Sequence, residues 1–160
     1  MQVTRTSFFA GLLLCLPMVL HAEMTAFVSG SMEQITTSRK GEPFLLVLWS
    51  IDCPPCMKEL HQLGEMRSRF SQRNLVLVST DDQMNPDSVW KIIADNHLDQ
   101  FENRIFSDDF TERLRYQIDP DWFGELPRAY FYSADHRRLA QSGVLSEAVL
   151  ERWFKASKKK

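Results

Sequence analysis

Cysteine is scarce in this chain. Its 160 residues contain three, Cys15, Cys53 and Cys56. So low a count excludes the disulfide-dense scaffolds that small secreted domains use in place of a core. A surplus of positive charge is also missing: 19 Lys and Arg stand against 21 Asp and Glu, a formal net charge of −2. That balance argues against a nucleic-acid partner and gives no reason to expect binding to a membrane surface. The longest apolar run, residues 8–20, falls short of the ~20 residues that a spanning helix needs. No internal repeat or low-complexity tract interrupts the chain. What remains is enough for one domain with its own core, at an ordinary 44% hydrophobic content.

The apolar run follows Arg5, and His21-Ala22-Glu23 then sets a small residue before an acid. This is the pattern of a secretory signal over residues 1–22, cleaved after Ala22, with residues 23–160 as one domain. An uncleaved membrane anchor is the alternative. Cys15 follows Leu14, not a small residue, which speaks against lipid modification there. Removal of residues 1–22 takes away one Arg and no acid, moving the formal charge from −2 to −3. It also leaves Cys53 and Cys56 alone. A C-x-x-C pair closes too small a loop to stabilise a fold by restricting the unfolded chain, so the spacing points to a functional pair.

The elements follow from pattern. Ser31 is a candidate N-cap for a short helix through residue 38. Residues 44–49 are continuously apolar, as in a strand buried on both faces. Cys53 stands at the N-cap of the next helix with Pro54 at its first position, a favoured site for proline, and the pattern predicts helix to about residue 71. Glu59 falls on the edge of its apolar stripe. Residues 74–80 read as a second strand ended by Asp81-Asp82. Asn85-Pro86-Asp87 opens a helix with Val89, Trp90, Ile92, Ile93 and Leu98 inward. A less regular stretch runs through Phe101, Ile105 and Phe106, then a short helix over 109–116. Strands over 128–132 and 138–142 turn back through Ala134-Asp135-His136, and Ser146 caps a last helix. A parallel pair joined to a closing hairpin, with helices between, implies a three-layer α/β sandwich with a mixed sheet.

Leu48-Trp49-Ser50 before Cys53-Pro54-Pro55-Cys56, Glu59 downstream, and Gly124-Glu125-Leu126-Pro127 before a Tyr-Phe-Tyr strand together resemble the thioredoxin fold. More narrowly, they resemble the exported TlpA-like thiol–disulfide oxidoreductases, a family that includes the reductases of cytochrome c maturation. The resemblance covers residue 44 to the C-terminus. It implies a family-type insertion within residues 86–122, a cis Pro127 packed against the disulfide, and a Leu126 backbone open to an extended substrate strand; an ordinary trans loop proline is the other reading. Two positions depart from the wider pattern. Val47 stands where thioredoxin carries a buried acid, and Asp52 replaces an aromatic residue often found before the first cysteine.

Helix N-terminal N–H groups and the positive end of the dipole favour a thiolate at Cys53, the expected attacking sulfur, with Cys56 as the resolving one. Pro54 and Pro55 lack two of those donors, and Asp52 adds a negative charge beside the thiol. Weak support of the thiolate is weak support of the reduced form, so a reducing couple below roughly −200 mV is expected. On the rim of an apolar stripe Glu59 is expected to be partly desolvated, with a raised pKa; spacing alone lets it be a surface charge, whereas the resemblance implies a functional acid there that exchanges a proton with Cys56. Trp49 is expected to pack under the site. Arg128 is either a solvated cation or a contact for acidic substrates.

The redox-active disulfide itself would be the only cofactor, with no metal. Expected partners are protein thiol/disulfide clients and, for an exported reductase, a membrane thiol electron donor; a periplasmic monomer follows. Within the same class, an oxidant or isomerase and a redox-silent binding adaptor are alternatives. Outside it, His61, His97 and His136 could join the cysteines in a zinc module, though none has a partner at ligand spacing. A peroxidase is the other alternative: Ser50 fits that pattern and Leu46, in place of a proline, does not.

Overall fold

The computed structural model describes residues 24–82 and 86–157. The expected leader at 1–22 with its expected cleavage after Ala22, Cys15, Asn85 and the lysines at 158–160 lie outside the described residues. Six strands form one sheet: β1 (Thr25–Phe27), β2 (Phe44–Trp49), β3 (Leu75–Ser79), β4 (Glu102–Phe106), β5 (Arg128–Tyr132) and β6 (Arg138–Ser142). Their spatial order is β1-β4-β3-β2-β5-β6. The first four run parallel, and β5 and β6 pair antiparallel on the far side of β2. The helices are α1 (Ser31–Ser38), α2 (Pro54–Glu65), α3 (Pro86–Asp95), α4 (Thr111–Ile118) and α5 (Glu147–Ser157). Among the described residues no helix is long and apolar enough to cross a membrane.

The central strand sets the layers. Successive side chains of a strand point to opposite faces, and in β2 all six are apolar and buried. Leu45, Val47 and Trp49 pack with residues of α2, α3 and α5. Phe44, Leu46 and Leu48 pack with residues of α1 and α4 on the other face. The result is the three-layer α/β sandwich with a mixed sheet that the pattern implies.

Two strands are additional to the expected set. β1 is three residues long, too short to show a periodic pattern. β4 lies in the stretch that reads as less regular, and its Glu102-Asn103-Arg104 half is polar. Most of those polar groups find partners inside the fold, while Asn103 Oδ1 is buried without one. The Asn103 amide donates to the carbonyls of Leu98 (3.1 Å) and Phe101 (2.9 Å), and Glu102 accepts from both Arg39 and Arg104. Residues 86–122 therefore fold as α3, β4 and α4, with β4 inserted between β1 and β3.

Helix limits are corrected at three places, one of them α4, which runs over Thr111–Ile118 and not 109–116. Gly30, at φ 87°, caps α1 in place of Ser31; the Ser31 hydroxyl accepts from the Val28 N–H at 2.9 Å. α2 ends at Glu65, short of residue 71, and a single 3₁₀ turn, Arg67–Arg69, follows. That turn carries Phe70 to edge contacts with Phe101 and Phe154, at centroid separations of 6.0 and 4.8 Å. Before it, Gly64 lets α2 approach the end of α3: a Cβ at Gly64 would lie 2.3 Å from the Asn96 carbonyl oxygen. Backbone on both sides leaves no flexible group to give way. Gly64→Ala is therefore expected to destabilise the protein by about 1–3 kcal/mol, as overpacking does, read as a lower urea midpoint at unchanged slope; an unchanged midpoint would mean that the two helices can part at no cost.

Candidate active site

β2 delivers the chain to the disulfide. After Trp49 the chain turns through Ser50, Ile51 and Asp52, and Cys53 takes extended backbone angles (φ −113°, ψ 95°) at the N-cap of α2. The proline that follows requires this, since a residue before proline is excluded from the helical region. Pro54 and Pro55 have no N–H to offer. The first helical amide is that of Cys56, which donates to the Cys53 carbonyl at 2.9 Å and lies 3.2 Å from Cys53 Sγ. Cys53 and Cys56 are joined by a disulfide, S–S 2.05 Å. Cys53 is partly exposed, whereas Cys56 is fully buried beside Trp49 and Leu60 in the core. Asp52, Pro54 and Pro55 are exposed around the accessible sulfur.

The turn before Cys53 is held by a residue that the sequence pattern presented only as a strand terminator. Asp81, just past β3, accepts from the Ser50 hydroxyl (2.7 Å), the Ile51 N–H (3.0 Å) and the Ser79 hydroxyl (2.6 Å). A carboxylate with three donors is a firm anchor. Its one signal in the sequence is an acid at the C-terminal edge of a strand neighbouring the C-x-x-C strand. The Ser50 hydroxyl is thereby engaged with Asp81.

Glu59 lies deeper than the edge of the stripe. It is 1% exposed, because the loop between β6 and α5 closes over α2. Within that loop, the Leu145 N–H donates to Glu59 Oε2 at 2.7 Å and the Leu145 carbonyl accepts from Gln62 Nε2 at 2.9 Å. Glu59 Oε1 is buried and has no hydrogen-bond partner. Burial pushes the Glu59 pKa from 4.5 up to about 7, against the opposing pull of the Leu145 N–H. Three residues after Cys56 in the same helix, this carboxyl shares a face with the buried sulfur.

The Leu126–Pro127 peptide bond is cis. β5 pairs with β2 in a register whose last pair is Leu48 with Arg128. One step further stand Trp49 and Pro127, so the proline loop and the C-x-x-C turn leave the sheet at the same end. Leu126 packs against both hydrophobic clusters. Among the described residues its N–H and C=O make no hydrogen bond. Arg128 is neither a solvated cation nor free for substrate. Its guanidinium contacts Asp119 (3.2 Å), Glu125 (3.1 Å), the Tyr130 hydroxyl (3.2 Å) and Ser142 (2.6 Å). Of the three histidines weighed for a zinc module, His97 and His136 occupy left-handed turn positions, at φ 57° and 58°, and His61 lies exposed on α2. Among the described residues no group of three His, Cys, Asp or Glu side chains gathers as metal ligands would.

No protein-family model and no curated protein matches this chain. Solved structures do. A secreted disulfide oxidoreductase of Mycobacterium tuberculosis, homologous to DsbE of Escherichia coli, is 20% identical; the match covers 75% of this chain and 85% of that one, with a TM-score of 0.57. A thiol:disulfide interchange protein of the thioredoxin family from Chlorobium tepidum is 15% identical over 76% and 83% of the two chains, TM-score 0.60. The thioredoxin domain of a thiol-disulfide oxidoreductase from Bacteroides vulgatus is 17% identical over 76% and 84%, TM-score 0.58. These likenesses show that the chain has the thioredoxin fold.

The raised Glu59 pKa has a consequence for stability. The folded chain holds this proton more tightly than the unfolded chain does. Its contribution is therefore complete below pH 4.5 and is lost as the pH rises through about 7. The loss amounts to about 3 kcal/mol across that window. Glu59→Gln keeps a carbonyl oxygen for the Leu145 N–H and removes the titration. Its stability relative to the parent protein is expected to rise between pH 5 and 8, in chemical denaturation at each pH. A difference that stays flat across that range would mean that Glu59 is ionised normally in the folded protein.

Proposed function

We propose that this thioredoxin-fold chain is an exported thiol–disulfide oxidoreductase of the TlpA-like kind that reduces protein disulfides through Cys53 and Cys56. The observation that carries the reading is one accessible sulfur at the mouth of α2, bonded to a buried sulfur that shares a helical face with a buried, protonatable carboxyl group. The resemblance around Trp49, the C-x-x-C turn and Leu126–Pro127 supports it. So does the secreted character of one structural neighbour, together with the apolar leader that would direct residues 23–160 to the periplasm.

In the reduced protein the Cys53 thiolate attacks one sulfur of a client disulfide. A Cys53–client bond forms, the client S–S bond breaks, and the client's other sulfur leaves with the electron pair. Cys56 then passes its proton to Glu59, and its thiolate attacks Cys53 Sγ. The second client sulfur leaves, and the Cys53–Cys56 bond seen here forms. Two electrons pass from the dithiol to the client. Return to the dithiol needs a thiol donor, which for an exported protein stands in the membrane. Glu59, with a pKa of about 7, is poised to take and return a proton near neutrality. Trp49 supports the disulfide from the core. Asp52, Pro54, Pro55, Leu126 and Pro127 form the groove in which an extended client segment pairs with the Leu126 backbone.

The helix entry supports the reducing direction. Of its first three positions only Cys56 presents an N–H to the Cys53 sulfur, so the thiolate of the reduced form has little support. Equilibration with glutathione is expected to place the couple below roughly −200 mV. A value near the roughly −120 mV of strongly oxidising proteins would assign it to disulfide formation instead. The Cys56→Ala variant is expected to retain clients on Cys53 as mixed disulfides; a variant that retains none covalently is a binding adaptor. Glu59→Gln is expected to slow release of the mixed disulfide and to flatten its rise between pH 6 and 9. Identical rate profiles for variant and parent would remove Glu59 from the proton transfer.

A further inference from the structure

Among the described residues the backbone of Leu126 makes no hydrogen bond, whereas groups on both sides of it are tied down. The Trp122 indole N–H donates to the Glu125 carbonyl at 2.9 Å. Past Leu126, the Pro127 carbonyl accepts from the Gly143 N–H at 2.9 Å. The side chains on either side of the Leu126–Pro127 pair meet each other: Arg128 Nη1 donates to Glu125 Oε1 at 3.1 Å, and both bond Ser142, at 2.6 and 2.9 Å. Arg128 is rooted in turn in a carboxylate that solvent hardly reaches. Asp119, 4% exposed, accepts from Arg128 Nη2 (3.2 Å) and the Tyr130 hydroxyl (2.9 Å) through one oxygen, and from Arg138 Nη2 (2.8 Å) through the other.

A buried carboxylate between two guanidiniums is a poor device for stability alone, because desolvation of the charges cancels most of their attraction. It is a good device for fixing geometry, since each donor has one place to go. Here the geometry it fixes is that of the peptide unit between Glu125 and Arg128. We infer that Asp119 is a positioning residue: through Arg128 and Glu125 it clamps both flanks of Leu126–Pro127 and holds the Leu126 N–H and C=O in line for an extended client strand. This rests on the proposed reductase reading and adds a requirement. Clients that lie along the groove need the clamp, and small disulfides that meet only Cys53 do not.

The test compares two substrates on the reduced protein: a disulfide-bridged peptide with at least three residues on each side of its cysteines, and 5,5′-dithiobis(2-nitrobenzoate). Asp119→Asn is expected to lower kcat/KM for the peptide about tenfold or more, through KM, a modest share of what ångström-scale misplacement can cost. Its reaction with the aromatic disulfide and its glutathione redox potential stay at parent values. Glu125→Ala cuts the same clamp at its solvent end without orphaning a buried charge. It is expected to give the same selective loss at smaller size, and it serves alone if Asp119→Asn does not fold. Equal loss on both substrates, or no loss on the peptide, overturns the clamp while the reductase reading stands. A parent protein that reduces the aromatic disulfide but not the peptide overturns the reductase reading itself, and the clamp with it.

Discussion

The site turns on a carboxyl group taken out of water one helical turn beyond a buried sulfur. Glu59 is enclosed because the loop ahead of α5 docks on α2, where Leu145 gives its N–H to Glu59 and takes the Gln62 amide on its carbonyl. This pairing satisfies one carboxyl oxygen and leaves the other without a partner. Desolvation then outweighs the single hydrogen bond, and the acid titrates near neutrality. An exposed glutamate at the same position would lack the desolvation that raises this pKa. Val47, on the strand beneath, is wholly apolar, so the buried acid of this site comes from the helix and not from the sheet.

Two other carboxylates work differently. Asp81 and Asp119 are held by several donors each, and each ties down a loop that leaves the sheet at the disulfide end. Asp81 fixes the turn that carries Ser50 to Cys53. Asp119 fixes the start of β5 just after Pro127. For Asp119, burial favours the neutral acid, but the Tyr130 hydroxyl and the neighbouring arginines hold its pKa below the usual carboxylate range. The three acids thus differ in their partners: Asp81 and Asp119, well supplied with donors, order backbone, whereas Glu59 has a single donor and a raised pKa.

The sheet makes this economy possible. Because β2 is central, with β3 parallel on one side and β5 antiparallel on the other, the end of β2, the end of β3 and the start of β5 share one edge. The C-x-x-C turn, Asp81 and the cis-proline loop come from three distant stretches of chain and meet there. The inserted β4 widens the sheet on the β3 side, away from the disulfide.

Much of this was legible beforehand. Continuous apolarity marked β2, proline after Cys53 marked the start of α2, and the 128–132 and 138–142 strands are where their pattern placed them. These features depend on local chemistry: side-chain period, proline geometry and turn residues act over a few neighbours. The parts that were not legible depend on partners far away in the chain. β4 is a strand despite its polar half because Arg39, 63 residues away, bonds Glu102, and the Asn103 amide nitrogen bonds the Leu98 carbonyl. Arg128 is a structural cation because Asp119, nine residues earlier, is buried beside it. The chain by itself determined that two cysteines stand at the mouth of a helix fed by a buried strand. Whether Glu59 met water or a backbone N–H was decided only by the docking of a loop 86 residues away, because desolvation belongs to the assembled surroundings of a group and not to its place in the sequence.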